Sequence, residues 1–183
     1  VVSFSLTNAI YVGVWTVVGL AIAKRTIGEF QWGLVLSSSG AGLALITLVL
    51  SRARTVPLWF GLLCTLAGAG PMLALGLGAD TPALMVIAFA DGIGMGTWVV
   101  SWETALQRDI PGHLLSRVAA YDEFGSYLAI PLGAITAPFT ASKIGDTATV
   151  MIAVIVYVGA VLIPLRSVLA ERHAAREPER QSA

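Results

Sequence analysis

Six long stretches with almost no charge constrain this chain more than any other feature of its sequence. Five of them, residues 1–23, 30–51, 55–79, 124–142 and 147–165, contain no Asp, Glu, Lys or Arg. The sixth, residues 81–102, contains one charged side chain, Asp91. Each stretch is close to the ~20 residues that cross a bilayer as a helix, and helices satisfy their own backbone in lipid. The sequence therefore predicts an all-α transmembrane protein.

The predicted spans are residues 2–23, 31–50, 57–78, 82–104, 121–141 and 147–166. They form one six-helix membrane domain over residues 1–169, followed by a polar cytoplasmic tail at 170–183. We expect the tail to be disordered, because it is charged and interrupted by proline. Charged residues make up 12% of the chain, against about 25% in soluble domains. This composition excludes an ordinary soluble domain, and the zero net charge gives no reason to expect a nucleic-acid partner.

The basic residues alternate between the two sides of the predicted membrane. One side carries Lys24, Arg25 and Lys143, and the other carries the remaining eight of the 11 basic residues. The positive-inside rule places the richer side and both termini in the cytoplasm, as expected for a multi-pass protein of the plasma or inner membrane. The first span lacks the features of a signal peptide. A chain that starts inside an apolar helix is expected to continue a longer protein.

Asp91 is the residue that points most directly to function. A carboxylate in the middle of a membrane helix costs on the order of 2.5–3.5 kcal/mol and usually faces a bundle interior or a wet cavity. Asp91, Met95, Trp98 and Trp102 form one helical stripe. The stripe either lines a substrate path, or it consists of a structural acid and two tryptophans that anchor the helix at the membrane surface.

Two other groups of residues follow helical spacing. Asn8 and Tyr11 begin a polar and aromatic stripe in the first span, which predicts either helix packing or a wall of the binding path. Gly92 and Gly96, spaced by four, predict close approach of a neighbouring helix. Pro131 and Gly133 in the fifth span predict a bend or hinge, because proline interrupts helical hydrogen bonding.

The predicted loop between the fourth and fifth spans, residues 103–123, carries charges of both signs. Pro111 and the following glycine break the helix there, and residues 113–118 are expected to form a short amphipathic helix on the membrane surface. Charged residues of this loop are predicted to form ion pairs that close the cytoplasmic side. The alternative is that its arginines only bind anionic lipid headgroups. The residues assigned to this gate are Gln107, Arg108, Pro111, Arg117 and Asp122.

No arrangement typical of an enzyme occurs in the sequence. His113 and His173 lie in cytoplasmic segments, far from any candidate nucleophile or metal partner. A glycine-rich phosphate-binding motif with lysine is absent, and so is a channel filter sequence. We therefore expect neither catalysis nor a metal ion nor a cofactor.

Four short segments resemble the major facilitator superfamily: GIGMGTW at 92–98, WETALQRDIP at 102–111, LSRV at 115–118 and PLG at 131–133. They are most similar to its exporter branch, which carries out efflux of drugs and siderophores in bacteria. The resemblance lays the whole chain over helices seven to twelve, the C-terminal six-helix half of a twelve-helix transporter. The segment around Arg52 and Arg54 falls where the family has a weak loop motif, but it lacks that motif's glycine and aspartate.

The resemblance implies a secondary transporter that exports a small molecule by alternating access, as an antiporter with protons as the coupling ion. Its partners would be the substrate, the lipid bilayer and a missing N-terminal six-helix half. Asp91, Trp98, Asn8 and Tyr11 are then the residues expected in the transport pathway or in coupling. The alternative is a six-helix membrane partner or scaffold protein that transports nothing.

Overall fold

The computed structural model describes residues 2–52 and 56–181, with side chains through residue 170 except at position 126. It contains six helices that are long and apolar enough to cross a membrane, which confirms the prediction of an all-α multi-pass membrane protein. The helices are α1 (Val2–Thr26), α2 (Glu29–Leu50), α3 (Leu58–Gly76), α4 (Thr81–Asp109), α5 (Gly112–Ile144) and α6 (Asp146–Gln181).

Several helices extend beyond the predicted spans. α4 ends at Asp109 and α5 begins at Gly112, so only two residues, Ile110 and Pro111, connect them in place of the predicted loop. The expected surface helix at 113–118 forms the first turns of α5. Hydropathy indicates where a segment leaves the bilayer, but the helix can continue in water beyond that point. Here α4 continues to Asp109 and ends just before Pro111, whose backbone has no N–H to donate.

The C-terminal segment also differs from the prediction. α6 continues as helix to Gln181, where a disordered tail was expected from residue 170. Its sequence after the last apolar residues is rich in Ala, Glu and Arg, which favour helix. Residues 182–183, and Arg54 of the predicted loop motif, lie outside the described residues.

Charged side chains at one end of the bundle hold neighbouring helices together. Arg25 at the end of α1 forms an ion pair with Asp146 at the start of α6. Lys24 pairs with Glu29 at the start of α2, with 2.9 Å between the nitrogen and the carboxylate oxygen. Asp80 caps α4, because its Oδ1 accepts a hydrogen bond from the Ala83 N–H at 3.1 Å. This is the end that the charge pattern predicts to be extracellular.

The helices pack in a pattern that relates the first three to the last three. The most extensive contacts are α2–α4, α1–α5, α3–α4, α1–α6 and α3–α6. If α1 is exchanged with α4, α2 with α5 and α3 with α6, the same five pairs of contacting helices are obtained. The α2–α4 pair, for example, becomes the α1–α5 pair. Two three-helix repeats related by a two-fold axis would produce the same pattern. The amino-acid sequences of the two halves show no convincing repeat. The correspondence between the first three and the last three helices is therefore visible only in their packing.

Glycines allow the two equivalent crossings, α2–α4 and α1–α5, to be close. A Cβ atom on Gly92 of α4 would clash with the carbonyl oxygen of Ser39 in α2. A Cβ atom on Gly133 of α5 would clash in the same way with the carbonyl oxygen of Ala9 in α1. Gly96 lies against the side chain of Ile46, also in α2. The backbones therefore approach one another at small residues, as is common between membrane helices.

Candidate functional site

Asp91 lies at the centre of the bundle, although the sequence left open whether it faces a cavity or a neighbouring helix. Its residue exposure is only 3%. The carboxylate is approached from four helices other than its own, by Tyr11 of α1, Ser39 of α2, Gly68 of α3 and Tyr157 of α6. The acid therefore occupies the point where most of the bundle meets.

Neutral donors hold one oxygen of this carboxylate. The Tyr11 hydroxyl donates to Asp91 Oδ2 at 2.8 Å, and the Ser39 hydroxyl donates to the same oxygen at 3.5 Å. Asp91 Oδ1 accepts no hydrogen bond from the described side chains. The ion pairs among the described residues all lie at helix ends, so no Lys or Arg compensates this charge. A buried carboxylate without a counter-charge is unfavourable, and Oδ1 is the oxygen that receives no compensating donor from the described side chains.

Two helices depart from regular α geometry beside Asp91. In α1, π-helical turns run over Tyr11–Val18 and begin at the residue that donates to the acid. In α3, a 3₁₀ segment covers Leu66–Gly68. The N–H of Ala69 bonds to the Leu66 carbonyl, and the carbonyl of Thr65, at the start of this segment, accepts the hydroxyl of Tyr157 at 3.0 Å. Such irregular turns are frequent at functional sites.

Gly68 makes room for the acid and for the second tyrosine. A Cβ atom at this position would come within 2.5 Å of the Tyr157 hydroxyl oxygen and within 3.4 Å of Asp91 Oδ1. Real Cβ atoms do not approach other atoms as closely as the first of these distances. Only glycine therefore fits between α3, Asp91 and Tyr157 without displacing the tyrosine.

A small cavity adjoins Asp91, and we call it the Asp91 cavity. It is lined by Phe4, Thr7, Asn8, Tyr11, Thr65, Asp91, Met95, Trp98 and Tyr157. Its volume of about 20 Å³ is enough for roughly one water molecule. The structure thus brings together all four residues that were predicted for the pathway or for coupling. It also places Met95 of the predicted stripe here, 37% exposed.

A larger cavity lies next to it, toward the predicted cytoplasmic end, and we call it the tryptophan cavity. It is lined by Ser3, Phe4, Thr7, Leu58, Leu62, Thr65, Trp98, Trp102, Asp122, Ala160, Val161, Pro164 and Val168. Its volume is about 180 Å³. The two cavities share Phe4, Thr7, Thr65 and Trp98, so a single layer of side chains separates them.

Three aromatic rings form one wall of the tryptophan cavity. Trp98 stacks on Trp102, with ring centroids 5.5 Å apart and an angle of 22° between the planes. Phe4 of α1 packs on Trp98 at 5.3 Å between centroids. Trp102 also donates its indole N–H to Asp122 Oδ2 of α5 at 3.1 Å. Trp102 is therefore held by two neighbours inside the bundle, in addition to its position near the membrane surface.

The residues predicted to form the cytoplasmic gate lie in helices or beside a helix end. Arg108 pairs with its own neighbour Asp109, with 2.7 Å between Arg108 Nε and Asp109 Oδ1, and both side chains are largely exposed. Gln107, Pro111 and Arg117 are exposed. Among the described residues, no ion pair joins the end of α4 to α5. Asp122 is the one member of this group that lines the tryptophan cavity.

No family model, curated protein or solved structure matches the chain. The resemblance to the major facilitator superfamily therefore stays a prediction.

Three of the residues that approach the Asp91 carboxylate were not predicted from the sequence: Ser39, Gly68 and Tyr157. Ser39 lies in the run SSSGAG at 37–42, which is typical of close helix packing, and nothing in the sequence distinguishes Gly68 from the other glycines of the spans. The sequence did contain one signal, because Tyr157 is an isolated phenol in a charge-free stretch. A buried tyrosine hydroxyl usually has a hydrogen-bond partner, and here that partner is the carbonyl oxygen of Thr65.

Proposed function

We propose that this chain is the C-terminal six-helix half of a secondary transporter of the major facilitator type. It exports a small molecule across the plasma or inner membrane in exchange for protons, with both termini in the cytoplasm, and it is not an enzyme. Asp91 is the proton-exchanging group of this half. The transporter works together with an N-terminal half that supplies the other wall of the central path.

The observation that carries this proposal is the environment of Asp91. A carboxylate at 3% exposure has neutral donors on one oxygen, no basic partner among the described residues, and a cavity with room for one water beside it. An ionisable group inside a membrane domain is a functional candidate by default, because its burial is costly. Irregular turns in two of the helices that touch it add support, since transporters place their sites at discontinuous helices.

The packing of the bundle supports the architecture. Halves of major facilitator transporters consist of two inverted three-helix repeats. The contacts of α1, α2 and α3 correspond to those of α4, α5 and α6 in the manner that such repeats require. Six helices without this relation would support a scaffold protein equally well.

The hydrogen bonds also indicate where a proton would bind. Asp91 Oδ2 already accepts the Tyr11 hydroxyl, whereas Oδ1 has no donor among the described side chains. A proton arriving on Oδ1 converts the carboxylate to the neutral acid and leaves the bond from Tyr11 in place. The water-sized cavity provides the path over which that proton enters or leaves.

The test measures proton movement coupled to substrate. Everted membrane vesicles that contain the complete gene product are energised to an acidic interior, and a pH-sensitive dye reports proton release when candidate substrates are added. We expect a substrate-dependent signal that Asp91→Asn abolishes. Asp80→Asn is the matched control, because Asp80 is the exposed N-cap residue of the same helix and an asparagine still caps it. A normal signal from the Asp91→Asn protein would exclude Asp91 as the proton carrier, and the absence of any signal would favour the scaffold alternative.

A further inference from the structure

The tryptophan cavity combines an aromatic wall with an acidic side chain that forms no ion pair with any of the described residues. We propose that it binds a small organic cation, a quaternary or protonated amine attached to a compact apolar body. As a binding site the cavity can be tested by itself. Its assignment as a substrate site rests on the transport function proposed above.

The aromatic wall is suited to a cationic group. Trp98 stacks on Trp102 at 5.5 Å between centroids, and Phe4 packs on Trp98 at 5.3 Å with its plane tilted by 43°. Trp98 is 4% exposed, so it is shielded from solvent. Aromatic faces attract ammonium groups most strongly when the pair is desolvated, and tryptophan is the best of the aromatic residues for this.

Asp122 provides the opposite charge. Its Oδ2 accepts the indole N–H of Trp102 at 3.1 Å, and its Oδ1 accepts no hydrogen bond from the described side chains. Asp122 takes part in none of the ion pairs of the described residues. Among the side chains that the structure describes, no Lys or Arg lines the cavity. The cavity is therefore electrostatically complementary to a cation and unfavourable for an anion.

The size and the remaining walls define the rest of the ligand. Leu58, Leu62 and Val161 add apolar surface to the lining of the cavity. The volume of about 180 Å³ is below the ~300–1,000 Å³ of pockets that hold drug-sized molecules. The ligand class is thus a compact molecule with one ring or a short branched chain.

Calorimetric titration of the purified full chain in lipid nanodiscs tests the site with two probes. The first is benzyltrimethylammonium, and the second is N,N-dimethylbenzamide, a neutral compound of similar size. Titration of empty nanodiscs is subtracted. We expect saturable binding of the cation, with an affinity about tenfold or more above that of the neutral probe, because only the cation gains from Asp122 and the aromatic faces.

Asp122→Asn keeps the shape of the side chain and an acceptor for Trp102 but removes the charge. It should weaken cation binding about tenfold and leave the neutral probe unchanged. The matched control is Glu123→Gln, which also replaces an acid by its amide, one residue along α5. Glu123 is exposed and does not line the cavity.

If Asp122→Asn does not fold, Phe4→Leu serves as the second variant, and it should lower the preference for the cation over the neutral probe. Equal binding of both probes, no saturable cation binding, or equal effects of the changes at 122 and 123 would overturn the proposal. Cation binding without substrate-dependent proton movement would support this site and count against the transport function.

Discussion

At the scale of single residues, the main feature of the structure is the set of contacts that stabilise the buried carboxylate of Asp91 in the centre of the helix bundle. Tyr11 and Ser39 offset part of its desolvation by donating to Oδ2. Gly68 leaves the space in which Asp91 and Tyr157 lie together. These contacts predict measurable couplings between residues that are far apart in the sequence.

The pair formed by Tyr11 and Asp91 gives the first prediction. Asp91→Leu removes the acceptor of a buried hydroxyl and should lower the free energy of unfolding by about 1–3 kcal/mol. Adding Tyr11→Phe to this variant should recover part of the loss, because removing both partners of a hydrogen bond is less costly than removing one. Unfolding in mixed micelles, followed by circular dichroism, measures both effects. Independent, additive losses would show that the hydrogen bond does not exist in solution.

Gly68 and Tyr157 give the second prediction. Gly68→Ala places a Cβ atom against the Tyr157 hydroxyl, and overpacking of this kind costs about 1–3 kcal/mol in unfolding free energy. Tyr157→Phe removes the obstructing oxygen. The double variant should therefore be more stable than the sum of the two single losses predicts, by about 0.5 kcal/mol or more. A double-mutant cycle on purified protein measures this coupling, and a coupling of zero would contradict the placement of Gly68.

At the scale of helices, the sequence predicted which segments are helical far better than where they end or how they deviate. Long charge-free stretches identify spans, because lipid excludes charge along the whole width of a helix. They do not report helix ends, and for this reason the turns of α4 and α5 beyond the bilayer were assigned to a loop. The π-helical turns of α1 have no signature in the local sequence that we recognise.

The crossing of α2 and α4 gives the third prediction. Gly92→Ala would place a methyl group against the backbone of α2 at Ser39, which cannot rotate away. We expect a loss of about 1–3 kcal/mol in unfolding free energy. Gly40→Ala in α2 is the matched control, because nothing lies within 4 Å of its Cβ position, and it should not destabilise the protein. Equal effects of the two substitutions would contradict the close approach of these helices.

At the scale of the whole molecule, six charge-poor stretches were sufficient to predict a six-helix membrane protein. The stripe that contains Asp91 and Trp98 was also predictable, since helical spacing alone places those side chains on one side of α4. Of the residues that approach Asp91, only Tyr11 was assigned to the same path from the sequence. Ser39, Gly68 and Tyr157 were not, because they come from three other helices and no local pattern links them to Asp91. Asp122 was assigned to a gate because charges of both signs surround it in sequence. Its location on α5 directs it instead to Trp102.

Orientation in the membrane gives the fourth prediction, which follows from the distribution of Lys and Arg. Cysteine substitutions at Thr26 and Asp146, in a background with Cys64 replaced, should react with a membrane-impermeant thiol reagent in intact cells. A cysteine at Ser116 should react only after the cells are opened. Labelling of Ser116 in intact cells, with protection of the other two positions, would reverse the orientation.

The proton-exchanging role of Asp91 is the central claim, and infrared difference spectroscopy tests it most directly because it requires no substrate. Purified protein in lipid is titrated with pH, and the carboxyl stretching band of a protonated acid is followed. The account predicts one buried carboxyl band that is replaced by a carboxylate band as the pH rises and that is missing from the Asp91→Asn protein. Asp80→Asn should leave this band unchanged. A carboxyl group at Asp91 that keeps the same protonation state across the whole pH range in which the protein is folded would contradict the claim.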